Sequence, residues 1–214
     1  METSNYLSWK ERQRRMNLVR DELWAQALDE TDDAGIRDRY SSLDRLPVRL
    51  ITCPLVKDIN QGGLLRCAES FRLERVVMRL EEGYVFDLTG NRGTEQWQPH
   101  RFGNVTEAIS TAKSDGLRIV ALTLSARSIP IQFTPWQFPM ALVVGSENRG
   151  VPQDIADLAD DHVAIPLFGL VQSLNVATAT ALALYEITNG YLVQNPEFKP
   201  ARRYSKELLH RDIT

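Results

Sequence analysis

The sequence has few of the residues from which disulfide frameworks and metal sites are built. Its 214 residues include two cysteines, Cys53 and Cys67, and three scattered histidines. Neither a C-x-x-C nor an H-E-x-x-H spacing occurs. These absences argue against a disulfide scaffold and against a zinc site, and they fit a reducing compartment. We therefore expect a function without a metal.

A long apolar run and an excess of positive charge are also missing. No uninterrupted apolar stretch reaches the length that spans a membrane, and the N-terminus is charged from Lys10 onward, without the apolar core of a signal peptide. Lysine and arginine number 25 against 28 acidic residues, which gives a formal net charge of −3. The sequence thus predicts a cytoplasmic protein with no membrane partner. Such a protein would contact nucleic acid only through local basic patches.

The two ends of the chain differ from its middle. Residues 6–28 have apolar side chains at helical spacing and a concentration of arginine, including Arg12, Arg14, Arg15 and Arg20. This pattern predicts an amphipathic helix that contacts an RNA backbone, or that packs on the main domain or a second subunit. The residues from Gln194 onward are polar and basic. We expect a helical extension at 1–46, a domain at 47–193 and a basic tail at 194–214.

Strand-like and helix-like patterns alternate in the middle of the chain. Predicted strands cover residues 48–53, 76–78, 117–123, 140–144 and 162–165, and predicted helices cover 61–71, 104–114, 152–160 and the residues from 174 onward. In the helix predicted at 104–114, Asn104 is expected to be the N-cap, with Glu107 three residues on and Gly116 just past the helix end. Residues 84–102 and 125–139 show no regular pattern. Repeated alternation of this kind predicts an α/β fold with a mostly parallel sheet that is flanked by helices on both faces.

The last predicted helix is apolar on nearly all sides, which is typical of a buried helix. The loop before it, residues 169–175, is polar and contains Gln172, Ser173 and Asn175. The first N–H groups of a helix have no intrahelical partner, so such a loop can bind a polar ligand through its backbone. The same pattern also fits a capped core helix with no ligand.

Two more polar loops follow predicted strands, at residues 60–66 and 145–150. Ligands of open α/β sheets lie outside the carboxyl ends of the strands, so the three loops are candidates for one site. Arg66 falls in a mainly apolar helix, where it forms either a structural salt bridge or part of a site. The loop at 145–150 is neither a P-loop nor a dinucleotide fingerprint. Ser173 with His162 would suit a hydrolase, but the G-x-S-x-G elbow is absent.

Taken together, the three loops resemble the three motifs of the TrmH-like family of RNA ribose 2′-O-methyltransferases, in the SPOUT superfamily. The motifs correspond to residues 60–71, 142–150 and 165–186, and the resemblance spans about residues 48–190. Residues 95–99 are similar to a stretch of the branch that methylates a D-loop guanosine of tRNA. One departure is Arg72, where the family usually has glycine, and it affects a helix end.

The resemblance implies a C-terminal trefoil knot, a homodimer whose sites draw on both subunits, and S-adenosylmethionine as the cofactor. Its implied cofactor neighbours are Leu122, Thr123, Gly145 and the backbone groups of Ile165 and Leu174. The implied substrate is RNA, with tRNA favoured. Three alternatives remain: a ribosomal RNA target, a non-catalytic knotted RNA-binding module, and a nucleotide-binding regulator with no RNA partner.

Arg66 corresponds to the family's catalytic arginine. Since a guanidinium does not deprotonate in proteins, we expect Arg66 to hold the adjacent phosphate and to stabilise the developing alkoxide. The resemblance also implies that Asn60 orients Arg66 or the ribose, and that Glu147 fixes its loop or Arg66. Ser173 and Asn175 would shape the pocket for the cofactor and the target.

Overall fold

The computed structural model of this chain describes residues 40–86 and 93–198. One compact unit comprises Arg45–Pro196. The remaining unit comprises Met1–Asp44 and Glu197–Thr214, of which only residues 40–44 and 197–198 are described. The predicted N-terminal helix and residues 199–214 of the basic tail lie outside the described residues. The domain boundaries therefore stay predictions.

The described residues form a seven-stranded sheet in which every pair of neighbours is parallel. Its strands are β1 (Leu46–Thr52), β2 (Leu73–Met78), β3 (His100–Phe102), β4 (Arg118–Leu122), β5 (Ile129–Pro130), β6 (Met140–Val144) and β7 (Asp161–Ala164). They lie in the order β3-β2-β1-β6-β4-β7-β5. This arrangement confirms the predicted α/β fold with a mostly parallel sheet. The predicted knot is not tested by strand order and stays a prediction.

Strands β1 and β6 are the centre of the sheet. Val48 is paired with Met140 and Thr52 with Val144, so both strands end level with each other. All five residues of β6 are buried, which is expected for a β-rich segment covered on both faces. The loops that follow Thr52 and Val144 therefore lie close together at one edge of the sheet.

The helices are α1 (Asp58–Ser70), α2 (Val105–Ser114), α3 (Gln153–Ala156) and α4 (Val176–Gln194). The predicted capping of α2 is confirmed, because the side chain of Asn104 accepts hydrogen bonds from the N–H groups of Thr106 (2.8 Å) and Glu107 (3.2 Å). Gly116, just past the end of α2, has the positive φ of 81° that a helix terminus favours. None of the described helices is long and apolar enough to cross a membrane.

Several short elements differ from the prediction. The segments predicted to be irregular contain β3 and β5, which are too short to produce a periodic pattern. The helix predicted at 152–160 is limited to α3. The reason is Asp160, whose carboxylate accepts a hydrogen bond from the N–H of Ile119 (2.7 Å) and whose own N–H donates to Ile119 (2.8 Å). These bonds draw the chain into the sheet and end the helix early.

The prediction that the last helix is buried on all sides is wrong for the single chain. Ala183, Leu184 and Ile187 are buried, but the apolar side chains of Leu182, Tyr185 and Val193 are exposed. The buried side of α4 packs closely on α1, since a Cβ built on Gly63 would lie 3.2 Å from that of Ala177. A helix that is apolar on every side can therefore still have one face exposed to solvent in the single chain.

Arg72 lies where the helix end requires a left-handed backbone. Its φ is 54°, and its N–H donates to the carbonyl of Glu69 (2.8 Å) at the end of α1. Glycine adopts this conformation without strain, whereas for other residues the conformation costs about 1–2 kcal/mol of stability. The departure from the family pattern is thus confirmed as a feature of a helix end.

We predict that Gln61→Met stabilises the protein. Gln61 is fully buried, and its amide oxygen and nitrogen have no hydrogen-bond partner in the part of the chain that the structure describes. An unsatisfied buried amide costs about 1–3 kcal/mol, which methionine avoids at similar shape. We expect the thermal midpoint to rise by about 2–4 °C per kcal/mol gained. The neighbouring amide of Asn60 is hydrogen-bonded, so Asn60→Leu should lower the midpoint. An unchanged or lower midpoint for Gln61→Met would contradict the prediction.

Candidate active site

The loops that follow β1 and β6 meet the start of α4 through one buried amide. The side-chain N–H of Asn60 donates to Glu147 (2.7 Å), and its oxygen accepts from the amide of Asn175 (2.7 Å). Asn60 is 2% exposed. Asn175 also caps α4, because its oxygen accepts from the N–H groups of Ala177 and Thr178. The three predicted loops are thus joined by one hydrogen-bonded chain, Glu147–Asn60–Asn175.

The position of Asn60 differs slightly from the one expected. It lies in the first turn of α1 and not before the helix. Its side chain is hydrogen-bonded to Glu147 and Asn175, so it holds the loops together, and it forms no hydrogen bond with Arg66 among the described residues. Glu147 forms its hydrogen bonds with Val56, Lys57 and Asn60 and none with Arg66 among the described residues. Its expected role in the site stays a prediction.

Glu147 is held as a carboxylate. It accepts hydrogen bonds from Asn60 and from the backbone N–H groups of Lys57 (3.0 Å) and Val56 (3.3 Å). Burial alone would raise the pKa of Glu147, but the hydrogen bonds outweigh it and the pKa is lowered. The carboxylate therefore acts as a fixed acceptor that ties the beginning of α1 to the loop after β6, and it is a poor proton acceptor.

We predict that Glu147 stabilises the fold in a pH-dependent way. A carboxyl group whose pKa is lowered by folding stabilises the protein above its unfolded pKa, and this contribution is lost as the pH falls toward the folded pKa. Glu147→Gln should therefore be less stable than the wild-type protein near pH 7. The difference should shrink as the pH falls below about 4.3. Urea unfolding of both proteins across this range measures it, and a difference that does not vary with pH would contradict the assignment.

Gly145 allows the loop after β6 to fold back on itself. A Cβ at this position would lie 2.2 Å from the carbonyl carbon of Gly150 and 2.5 Å from the nitrogen of Val151. The loop is closed by two bonds between Ser146 and Gly150, of 2.9 and 3.0 Å. The protein's own backbone is therefore enough to require glycine at this position.

Arg66 and Ser173 lie apart from the hydrogen-bonded chain. Arg66 is on α1, six residues beyond Asn60, and it is exposed. Among the described residues its guanidinium forms no ion pair or hydrogen bond, so the structural salt bridge considered for it is not found. Ser173 is exposed and has no hydrogen-bond partner in the described ranges. Both side chains are therefore free to contact a bound molecule.

The five predicted cofactor neighbours lie at or beyond the carboxyl ends of neighbouring strands. Leu122 ends β4, Thr123 follows it and donates its N–H to Val163 (2.9 Å), and Gly145 follows β6. Ile165 follows β7, and Leu174 precedes α4. In the described residues, the backbone of 165–174 forms no hydrogen bond, and Ile165 and Leu174 are half-buried. Free N–H and C=O groups at a half-buried edge suit the hydrogen-bonding edge of an adenine ring.

Sequence reasoning missed a second polar network, which lies beside Thr123. His162 is buried, with Nδ1 2.8 Å from the hydroxyl of Ser125 and Nε2 2.9 Å from the carbonyl of Ala156. Ser128 bonds to Ser125 (3.0 Å) and donates to the carbonyl of Thr123 (2.7 Å). The network thus fixes the loop after β4. A histidine inside a short apolar strand was the signal that could have pointed to it.

Neither a thiolate nor a metal cluster is found in the described ranges. Burial, with a smaller contribution from the charge of Asp154, raises the pKa of Cys53 to about 12, so its thiol stays protonated. No group of three His, Cys, Asp or Glu side chains that could hold a metal ion occurs among the described residues. The functional groups of the candidate site are therefore amides, one carboxylate, one guanidinium and backbone groups.

The parallel sheet defines an α/β protein, and its three polar loops are joined at the carboxyl edge, where proteins of this class place their ligand sites. A family model supplies the particular class. Residues 47–185 match the SpoU rRNA methylase family, and this chain belongs to that family.

Relatives and solved structures agree with this assignment. A tRNA (guanosine(18)-2′-O)-methyltransferase of Aquifex aeolicus is 36% identical over 96 residues, which are 44% of this chain and 46% of the relative. The match therefore spans less than half the length of that relative. The crystal structure of the A. aeolicus TrmH/SpoU tRNA modifying enzyme shares the fold, with a TM-score of 0.67 at 21% identity, over 93% of this chain and 99% of that one.

A structure with a bound cofactor has the same fold. It is the AdoMet-bound rRNA methyltransferase from Sinorhizobium meliloti, with a TM-score of 0.61 at 20% identity, and the match covers 75% of this chain and 70% of that one. At this identity the likeness establishes the fold alone.

Proposed function

We propose that this chain is an S-adenosylmethionine-dependent RNA ribose 2′-O-methyltransferase, and that its substrate is a D-loop guanosine of tRNA. The observation that carries the proposal is the chain Glu147–Asn60–Asn175, which joins the three motif loops at one sheet edge. Family membership supports the reaction class. The relative that acts on guanosine 18 of tRNA supports the choice of tRNA.

S-adenosylmethionine, when bound, supplies an activated methyl group, so the protein has to align the ribose hydroxyl and help it lose a proton. The residues that would hold the cofactor are Ile165 and Leu174 through their backbone groups, with Leu122 and Thr123 as walls. The free backbone of 165–174 fits this role. The network around His162 would keep the wall at Thr123 in place.

Arg66 would act on the RNA. Its exposed guanidinium has no ion pair among the described residues and can form two parallel hydrogen bonds to a phosphate next to the target ribose. A fixed positive charge there favours the alkoxide that develops at the 2′-oxygen. The proton would pass to that phosphate or to water, because neither Arg66 nor the low-pKa carboxylate of Glu147 is a good acceptor.

Three further features belong to the same proposal. The protein would be a cytoplasmic homodimer, and the exposed apolar residues Leu182, Tyr185 and Val193 of α4 are suitable contacts for a second subunit. The C-terminal segment would form the trefoil knot. The close packing of α4 on α1 at Gly63 suits a segment that passes near other backbone.

Ribosomal RNA is the second candidate substrate, since the matching family is described by rRNA methylation. A direct test is methyl transfer from labelled S-adenosylmethionine to an unmodified tRNA transcript and to ribosomal RNA, followed by mapping of the product. Label on a D-loop ribose would support the full proposal. Label on ribosomal RNA alone would keep the reaction and replace the substrate. No label on either RNA, with the cofactor still bound, would favour a binding module instead of an enzyme.

A further inference from the structure

A group of three aromatic side chains, one of them exposed, lies at the β3 edge of the sheet. We define the aromatic edge as Phe86, His100 and Phe102. The ring of Phe86 lies 5.2 Å from that of Phe102 and 6.1 Å from that of His100, and His100 and Phe102 meet edge-to-face at 6.3 Å. Phe102 remains 46% exposed. The three rings thus support one another while one of them stays open to solvent.

The aromatic edge lies level with the candidate active site. Phe102 is paired with Met78 at the end of β2, and Thr52 and Val144 are the last residues of β1 and β6. Strands are spaced about 4.8 Å apart, so β3 is about 10 Å from β1 along the same carboxyl edge. An RNA strand that crosses the candidate site can therefore reach the aromatic edge within a few nucleotides.

The aromatic edge also lies on the same face of the sheet as α1. Crossovers between parallel strands are right-handed. Helix α1 leads from β1 outward to β2, whereas α2 leads from β3 back toward β4, so the two helices cover opposite faces. Val77 packs in the cluster that contains Val105 and Ile109 of α2, and its partner in β3 is Arg101. His100 and Phe102 point away from that face, toward the side that carries Arg66 on α1.

The charges around the aromatic edge suit a nucleic acid only in part. Arg79 is exposed and forms no ion pair with described residues, but the exposed carboxylates of Glu81 and Glu82 follow on the same loop. Arg101 is also exposed, but it lies on the opposite face of β3 from His100 and Phe102. A contact here would therefore gain its affinity from stacking, with little help from phosphate neutralisation. Unpaired RNA bases are recognised by such stacking on aromatic side chains.

We infer that the aromatic edge binds an unpaired base of the substrate RNA by stacking on Phe102, outside the reacting nucleotide. This inference rests on the proposed function, because it takes RNA as the substrate. It adds a contact that fixes where the RNA lies relative to Arg66. Phe102 would thus set which nucleotide reaches the site, while it takes no part in the reaction.

The test measures the affinity of the full chain for a fluorescently labelled, unmodified tRNA transcript. Loss of one stacked base costs about 1–3 kcal/mol, so Phe102→Ala should weaken binding by about 5-fold to 150-fold. Phe102→Leu, which retains apolar packing, should also weaken it, and Phe102→Trp should restore it. The dependence of affinity on salt should not change, because no phosphate contact is lost. The matched control is Phe133→Ala, since Phe133 is an exposed phenylalanine beyond β5 at the opposite end of the sheet.

Two results would overturn the inference. One is wild-type affinity for Phe102→Ala and Phe102→Leu. The other is a change in oligomeric state for these variants in sedimentation, which would show that a second copy of the chain covers the aromatic edge. Failure of the proposed function would look different, because the wild-type protein itself would then transfer no methyl group to RNA.

Discussion

Replacing Arg66 with alanine should reduce methyl transfer to RNA by about a hundredfold to a thousandfold, which is the usual cost of removing one donor that stabilises a developing oxyanion. Affinity for S-adenosylmethionine should stay within about twofold, because the residues expected to hold the cofactor lie on other loops. The structure explains why methyl transfer should be lost while cofactor affinity is retained. The Arg66 side chain is exposed on α1 and its guanidinium forms no hydrogen bond with the described residues, so its loss should leave the chain Glu147–Asn60–Asn175 intact.

Single-turnover rates and calorimetric cofactor binding measure the two quantities independently. Arg66→Lys is the matched variant, since lysine keeps the charge but cannot form the two parallel hydrogen bonds of a guanidinium. It should recover only part of the rate. Equal losses of cofactor binding and of transfer in Arg66→Ala would show that the division of roles is wrong.

Replacing Gly145 with alanine should have the largest effect on the structure itself. The added methyl group would lie 2.2 Å from the carbonyl carbon of Gly150, and that neighbour is backbone, which cannot rotate away as a side chain could. The bonds between Ser146 and Gly150 would have to open. We expect the free energy of unfolding to fall by several kcal/mol, which is at the upper end for single substitutions. Cofactor binding should be lost as well.

Thermal unfolding and cofactor binding check this expectation. Gly169→Ala is the control, since a Cβ at Gly169 would meet nothing within 4 Å and its φ is not positive. That variant should unfold near the wild-type temperature. A Gly145→Ala protein as stable as Gly169→Ala would show that the loop can open at little cost.

The sequence was informative where a local rule determines structure. The strand at Met140–Val144 was predicted with its observed bounds because five consecutive apolar residues end at a glycine. The cap at Asn104 was predicted because an asparagine oxygen at a helix start commonly accepts hydrogen bonds from the first N–H groups of the helix. The positions of the three loops at one edge followed from parallel topology.

The pairing of Asn60 with Glu147 and Asn175 could not be predicted from the residues alone. An asparagine can donate and accept in several directions, and only the packed loops select the partners. The exposed face of α4 was misjudged because an apolar residue looks the same in sequence whether it packs on its own chain or faces solvent. The aromatic edge was missed because Phe86 and Phe102 are sixteen positions apart, and their contact arises from tertiary structure.

The amide of Asn60 joins residues that are far apart along the chain. Its two side-chain partners are 87 and 115 positions away. During synthesis, the first of these bonds cannot form until Glu147 has left the ribosome, and the second must wait for Asn175. Contacts of such sequence separation form late in folding, after the entropy of the intervening chain has been lost. The candidate site is thus completed only when nearly the whole domain has folded, so an RNA or cofactor that needs all three loops would bind only finished molecules.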